Sequence, residues 1–184
     1  MLCRHGGHVV MLDNLSLGTL ENLNWRRNGD ELEFVEGDIR GEKLLAKIIS
    51  GCDWVFHQGA LPSVPRSVAQ PPESNGHNLD GTLKVLLAAR DAQVKRFIFA
   101  SSSSICGDVD APLKHEGLPP NPLSPYALQK YAAEKYASFF TGSMVWKLFR
   151  CATSTFSVRG RRLIRRIPAS LQNSAWRCCA ARRR

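Results

Sequence analysis

Four short apolar runs, each cut off by turn residues, constrain this chain more than any other feature. They are HVVMLDN from His8, LEFVEGDI from Leu32, DWVFHQGA from Asp53 and KRFIFASSSS from Lys95. Runs this short and this apolar read as buried strands. Between them lie segments with helical spacing: TLENLNWRRNG, GEKLLAKIISG and NLDGTLKVLLAARDAQ, the last with Leu79, Leu83, Leu86 and Leu87 near one face. A final helix is predicted over Tyr126–Phe140, and LPSVPRSVAQPPES and PLKHEGLPPNPLSP read as proline-rich loops. Strands alternating with helices predict an α/β fold, a parallel sheet covered on both faces. Ligands of such sheets sit at the carboxyl ends of the strands. Here those ends are Asp13, Asp38, the Gly59-Ala60 loop and the serines Ser101–Ser104.

Each strand end carries a chemical option and a plainer one. Asp13 could take ribose hydroxyls, or simply hold a turn. Asp38 could lie beside an adenine, or cap the next helix. Tyr126 and Lys130 are four apart and share a helix face. A phenol is a poor base at neutral pH, and a neighbouring ammonium would lower its pKa. The serine run could add a hydroxyl to that pair, or be a polar turn.

Taken in order, HVVMLDNLSLG, EFVEGDIR, DWVFHQGALPSVPRSV, NLDGTLKVLLAAR, VKRFIFASSSSICGD and PPNPLSPYALQKYAAEKY resemble the extended short-chain dehydrogenase/reductase family. The resemblance covers about residues 8–140 and is to the NAD-dependent nucleotide-sugar epimerases and dehydratases. The ALPSVPRSV loop is most similar to that of UDP-sugar C4-epimerases. It implies a Rossmann-type doubly wound sheet, NAD as cofactor and a UDP-sugar substrate. Tyr126 would exchange a proton with the sugar 4-hydroxyl. Lys130 would hold the nicotinamide ribose and depress the tyrosine pKa. Ser102 would be the hydroxyl partner, with Ser103 as the alternative. Asp13, Asn14 and Ser16 would meet the adenosine ribose and its phosphate, and Asp38 and Ile39 would flank adenine. Gly59, Ala60 and Leu61 would line the cofactor, and Asn78 would brace the strand ends. The implied reaction oxidises C4, turns the keto-sugar over and returns the hydride to its other face. Pairing into a homodimer through the two long helices is a further implication for the intact parent.

The chain departs from that pattern in three places. The family's first strand and its G-x-x-G-x-x-G turn are absent, so the sheet is expected to be partial, with exposed apolar edges and a weakened hold on NAD. Cys106 stands where the family has the tyrosine of VYGD. The third departure is compositional. Residues 1–140 hold all 16 acidic residues and 14 of the 25 Lys and Arg, whereas 141–184 hold 11 basic residues and no acid. Reading Met144–Gly160 one base earlier, with synonymous codons chosen for the fit, gives Y-G-L-E-T-V-P-L-R-Y-F-N-V-F-G-P-R, the family's own continuation. We therefore expect a partial NAD-binding domain over 1–143 and an out-of-frame, irregular, Arg-rich tail over 144–184, with little or no activity in the chain as written. The tail's charge also admits nucleic-acid binding, as the weaker reading. No run of about 18 apolar residues is present. Six cysteines without metal-type spacing point to reduced thiols and a cytoplasmic protein.

Overall fold

The computed structural model describes residues 7–109, 115, 117–143, 149–150 and 178–182. Strands β1 (His8–Asp13), β2 (Leu32–Glu36), β3 (Trp54–His57) and β4 (Arg96–Phe99) coincide with the four apolar runs. Helices α1 (Glu42–Ile49), α4 (Gly81–Asp91) and α5 (Pro125–Ser143) lie where the periodicity puts them. Pro125 costs α5 nothing at its first turn, where no intrahelical partner for its N–H exists. Ser124 Oγ accepts the Ala127 N–H at 3.2 Å and caps the helix.

Two of the expected elements differ. The proline-rich segment after β3 is not a loop but two helices, α2 (Val64–Ala69) and α3 (Pro71–Asn75). Pro65, Pro71 and Pro72 fall at first-turn positions, and Ser63 caps α2 by accepting the Arg66 N–H. A π turn, Gly76–Asp80, joins α3 to α4. Conversely, the helix predicted over TLENLNWRRNG shrinks to one 3-10 turn, Leu20–Leu23. Only Leu23 is buried there, while Leu20 and Trp25 are exposed, so no apolar face stabilises a longer helix.

The sheet runs β2-β1-β6-β3-β4-β5, with β5 (Phe149–Arg150) and β6 (Cys178–Arg182) both drawn from the tail. The β1/β2, β3/β4 and β4/β5 pairs are parallel. β6 is antiparallel to both its neighbours, setting Cys178 opposite Leu12 and His57, and Ala181 opposite Val9 and Trp54. Two expectations are corrected by this. The edges of β1 and β3 are not left open, because β6 hydrogen-bonds to both and satisfies backbone groups that burial would otherwise leave costly. The tail is not irregular at these two strands. The rest of 144–184, including most of the segment read as out of frame, lies outside the described residues.

The core lies between the sheet and α1, α4 and α5. It is built from Val10, Leu12, Leu45, Ile49, Val55, Val85, Leu86, Phe97 and Phe99, with Ala133 and Ala137 of α5 packed against them. Those alanines let α5 approach the sheet closely. On β3 and β4 burial alternates: Val55, His57, Phe97 and Phe99 are buried, and Trp54, Phe56, Arg96 and Ile98 are half-buried. On that second face the Arg96 guanidinium lies 5.6 Å over the Trp54 ring.

Candidate active site

At the carboxyl ends of β1 and β2 a cleft is lined by Asp13, Asn14, Ser16, Ile39, Gly59, Ala60 and Leu61, together with Leu12, Gly37 and His77. Asp13 is buried, and its Oδ1 accepts the Leu15 N–H at 2.8 Å. Asn14 Oδ1 accepts the Ser16 N–H at 3.2 Å. These two side-chain turns hold Leu15 at φ 53°, in the left-handed region that a β-carbon disfavours. Asp13 thus holds a turn and also faces the cleft.

Asp38 does not line the cleft. Its carboxylate takes the Arg40 Nε at 3.0 Å and Nη2 at 2.7 Å, plus the Arg40 backbone N–H at 2.8 Å. Partial burial would raise its pKa, but those Arg40 contacts outweigh it and bring it down to about 2. Its link to the cleft is through Asn14, whose Nδ2 reaches Asp38 Oδ2 at 3.4 Å.

A second cluster stands at the carboxyl end of β4. Ser101 and Ser102 follow the strand, and Ser103 opens the 3-10 turn Ser103–Cys106. The hydroxyl that meets the Tyr126 side chain is that of Ser102. Ser102 Oγ also lies 2.7 Å from Ser104 Oγ. Lys130 is 3% exposed, and its Nζ sits 4.3 Å over the Phe99 ring. Burial lowers its pKa to about 8, against the pull of Glu134. The expectation that Lys130 depresses the tyrosine pKa is corrected. Burial raises Tyr126 above the ordinary phenol value, and the opposing effect comes from Ser102.

Asn78 ties the two regions together. Its Oδ1 accepts the Leu61 N–H at 2.7 Å, and its Nδ2 donates to Leu61 O at 3.3 Å and to Gln129 Oε1 at 2.9 Å. Ser74 Oγ donates to the same Gln129 oxygen at 2.8 Å. The loop that lines the cleft is thereby fixed to the residue beside Lys130. Under Lys130, His57 is fully buried. Thr82 Oγ1 donates to Asn78 O, so His57 Nε2 donates to Thr82, and His57 Nδ1 has no hydrogen-bond partner among the described residues. Burial first, and then Lys130, lower the His57 pKa to about 3. His57, His77, Arg40, Gln129 and Glu134 were not singled out by the sequence. Only Glu134 carries a local signal, one helical turn after Lys130.

A model of the NAD-dependent epimerase/dehydratase family matches residues 1–175. The chain belongs to that family. The match runs beyond the 8–140 span that carries the sequence resemblance. A UDP-glucose 4-epimerase of Klebsiella pneumoniae is 41% identical over 111 residues, 58% of this chain and 80% of that one. A UDP-N-acetylglucosamine 4-epimerase from Methanobrevibacter ruminantium superposes with a TM-score of 0.71 at 38% identity, over 86% of this chain and 50% of that one. DesIV, a dTDP-glucose 4,6-dehydratase from Streptomyces venezuelae solved with NAD, gives 0.71 at 33% identity, over 77% and 45%. Other curated UDP-glucose 4-epimerases are spanned over 32–40% of their length.

The family's cofactor, NAD, suits the residues present at its nucleoside ends. A buried carboxylate and two polar side chains face the cleft at Asp13, Asn14 and Ser16; at the end of β4 the Ser102 hydroxyl meets the Tyr126 phenol, and the Lys130 ammonium lies over Phe99 one helical turn on. The sequence contains no G-x-x-G-x-x-G turn for the diphosphate. Among the described residues there is no cluster of metal-binding side chains, and no helix is long and apolar enough to cross a membrane.

Proposed function

We propose that the site is that of a nucleotide-sugar 4-epimerase acting on a UDP-hexose. The supporting observation is the Ser102–Tyr126 contact one helical turn from buried Lys130. In this reading Tyr126 takes and returns the proton of the sugar 4-hydroxyl, and Ser102 orients that hydroxyl. Lys130 holds the nicotinamide ribose and offsets negative charge as it grows on Tyr126. Asp13, Asn14 and Ser16 bind the adenosine ribose and its phosphate, Ile39 and the Asp38 backbone flank adenine, and Gly59, Ala60 and Leu61 line the cofactor. Asn78 braces that lining from behind. NAD, when bound, supplies the hydride acceptor and donor at C4.

Taken alone, the 184 residues are expected to turn over little substrate. They span half or less of the solved relatives, and they offer the diphosphate no glycine-rich turn. The reading is tested by titrating NAD into the purified chain and following tryptophan fluorescence. Binding that weakens in Asp13→Ala and Lys130→Met supports it; no binding tighter than about 1 mM would overturn it. UDP-glucose-to-UDP-galactose turnover by this chain at the rate of a full-length epimerase would overturn the inactivity.

The DesIV superposition favours a second reading, dehydration at the same site. It is weakened by the serine run, which has no acid beside Ser102. A 4-keto-6-deoxy sugar among the products would favour it. A homodimer is supported by the exposed apolar side chains Leu128, Tyr136 and Phe139 along α5. The Cys52 thiol donates to Ile48 O and Cys106 is likewise a thiol, in agreement with a reducing, cytoplasmic setting. Nucleic-acid binding through 144–184 is the weakest reading. It predicts salt-sensitive DNA affinity that disappears when that segment is deleted.

A further inference from the structure

Glu134 has no part in the chemistry set out above, yet it joins the two elements that carry it. Ser101 Oγ donates to Glu134 Oε2 at 2.5 Å. Ser101 is the residue before Ser102 and is buried at the end of β4. Glu134 is four residues after Lys130 on α5, on the same helix face. One carboxylate thus touches the strand end that presents Ser102 and stands one turn from the buried ammonium beside Tyr126.

We propose that Glu134 is a positioning residue of this site: it clamps the end of β4 to α5 through Ser101 and keeps the Lys130 ammonium charged. A buried ammonium over an aromatic ring has lost most of its hydration and needs a compensating anion to hold its proton. Among the described residues, Glu134 on α5 is the charged group that raises the Lys130 pKa, while Lys130 in turn disfavours a charge on His57 of β3. His57 stays neutral in the core and cannot supply that compensation. Without Glu134, the Lys130 ammonium would give up its proton more readily, and Tyr126 would lose part of the cation that its role in the proposed reaction requires. The inference concerns what Lys130 does, and so rests on the epimerase reading for its meaning but not for its test.

The two parts of the proposal separate in two variants. Glu134→Gln keeps an oxygen for Ser101 but removes the charge. Ser101→Ala removes the hydrogen bond but keeps the charge. The readout is the ¹³Cε shift of Lys130 against pH in the full 184-residue chain with ¹³C-labelled lysine, assigned by the signal lost in Lys130→Met. No NAD or substrate is present, so failure here is distinct from failure of the epimerase reading. The expected result is a Lys130 midpoint near 8 in the wild type that falls to about 7 or below in Glu134→Gln. In Ser101→Ala it should stay in place while hydrogen exchange at the Ser101–Ser104 amides speeds up. Glu134→Asp, which keeps the charge, should restore the midpoint and guards against a Gln variant that fails to fold. An unchanged midpoint in Glu134→Gln, or an equal fall in Ser101→Ala, would overturn the proposal.

Discussion

On the β1–β2 side of the sheet Asp38 stands near the surface against Arg40; on the β3–β4 side Lys130 and His57 lie buried, out of water. Asp38 is partly exposed and takes its protonation state from a partner, since Arg40 carries its pKa down to about 2 against the opposing effect of burial. Lys130 and His57 take theirs from burial, at about 8 and about 3. Both sides present polar groups at the carboxyl ends of parallel strands. What differs is how much water remains, and that decides whether a neighbour or desolvation dominates.

Removing what joins the halves should have the largest effect. β6 is the strand between β1 and β3. Truncation after Arg177 exposes the ladder groups of both strands. It should cost several kcal/mol out of the roughly 5–15 kcal/mol that stabilises a domain. Thermal melting followed by circular dichroism should lose its cooperative transition. A truncated chain that melts within a few degrees of the full one would mean β6 adds little to the fold.

The next effect sharpens the contrast on the buried side. The folded Lys130 pKa lies below the unfolded value of 10.5, so between about 8 and 10.5 the unfolded chain binds more protons. Stability should therefore rise with pH across that window, by an order of about 3 kcal/mol, and the penalty is complete below it. Urea denaturation at pH 7.5 and 10 should show the gain in the wild type and its loss in Lys130→Met. Equal pH dependence in both would remove Lys130 as its source.

Asn78→Leu attacks the joint from the side-chain level. It leaves the Leu61 N–H without its acceptor and frees Gln129 from Asn78. The expected cost is about 2–3 kcal/mol. A destabilisation under about 0.5 kcal/mol, measured by the same denaturation, would show that water replaces the amide. The smallest effect belongs to the open side. Asp38→Asn removes an exposed pair with Arg40 and should cost only about 0.5 kcal/mol at neutral pH. Because the folded Asp38 pKa is depressed, that contribution is present above pH 3.8 and fades as pH falls towards about 2. Comparing wild type and variant at pH 3 and 6 reads this directly.

The residues differed in how much of this they disclosed. The four strands were legible because a short apolar run bounded by turn residues has one good use in a soluble domain. Tyr126 and Lys130 were legible as a pair because helix geometry alone places i and i+4 together. The helices hidden in LPSVPRSVAQPPES were not, since proline reads as a breaker until its position in the first turn is known. Leu20 and Trp25 had helical spacing but no surface to bury against.

The sequence by itself determined the four parallel strands β1–β4, the helices α1, α4 and α5, and which side chains stand at the strand ends. These follow from local periodicity, which depends on near neighbours along the chain, and the family from motifs that resemble its own. Only the tertiary structure decided that a C-terminal strand fills the gap between β1 and β3, and that Asp38 turns to Arg40 rather than to the cleft. It also decided that burial, not Lys130, governs the Tyr126 pKa. Each of those depends on segments far apart in the chain and on the water excluded when they meet, and neither is written in local spacing.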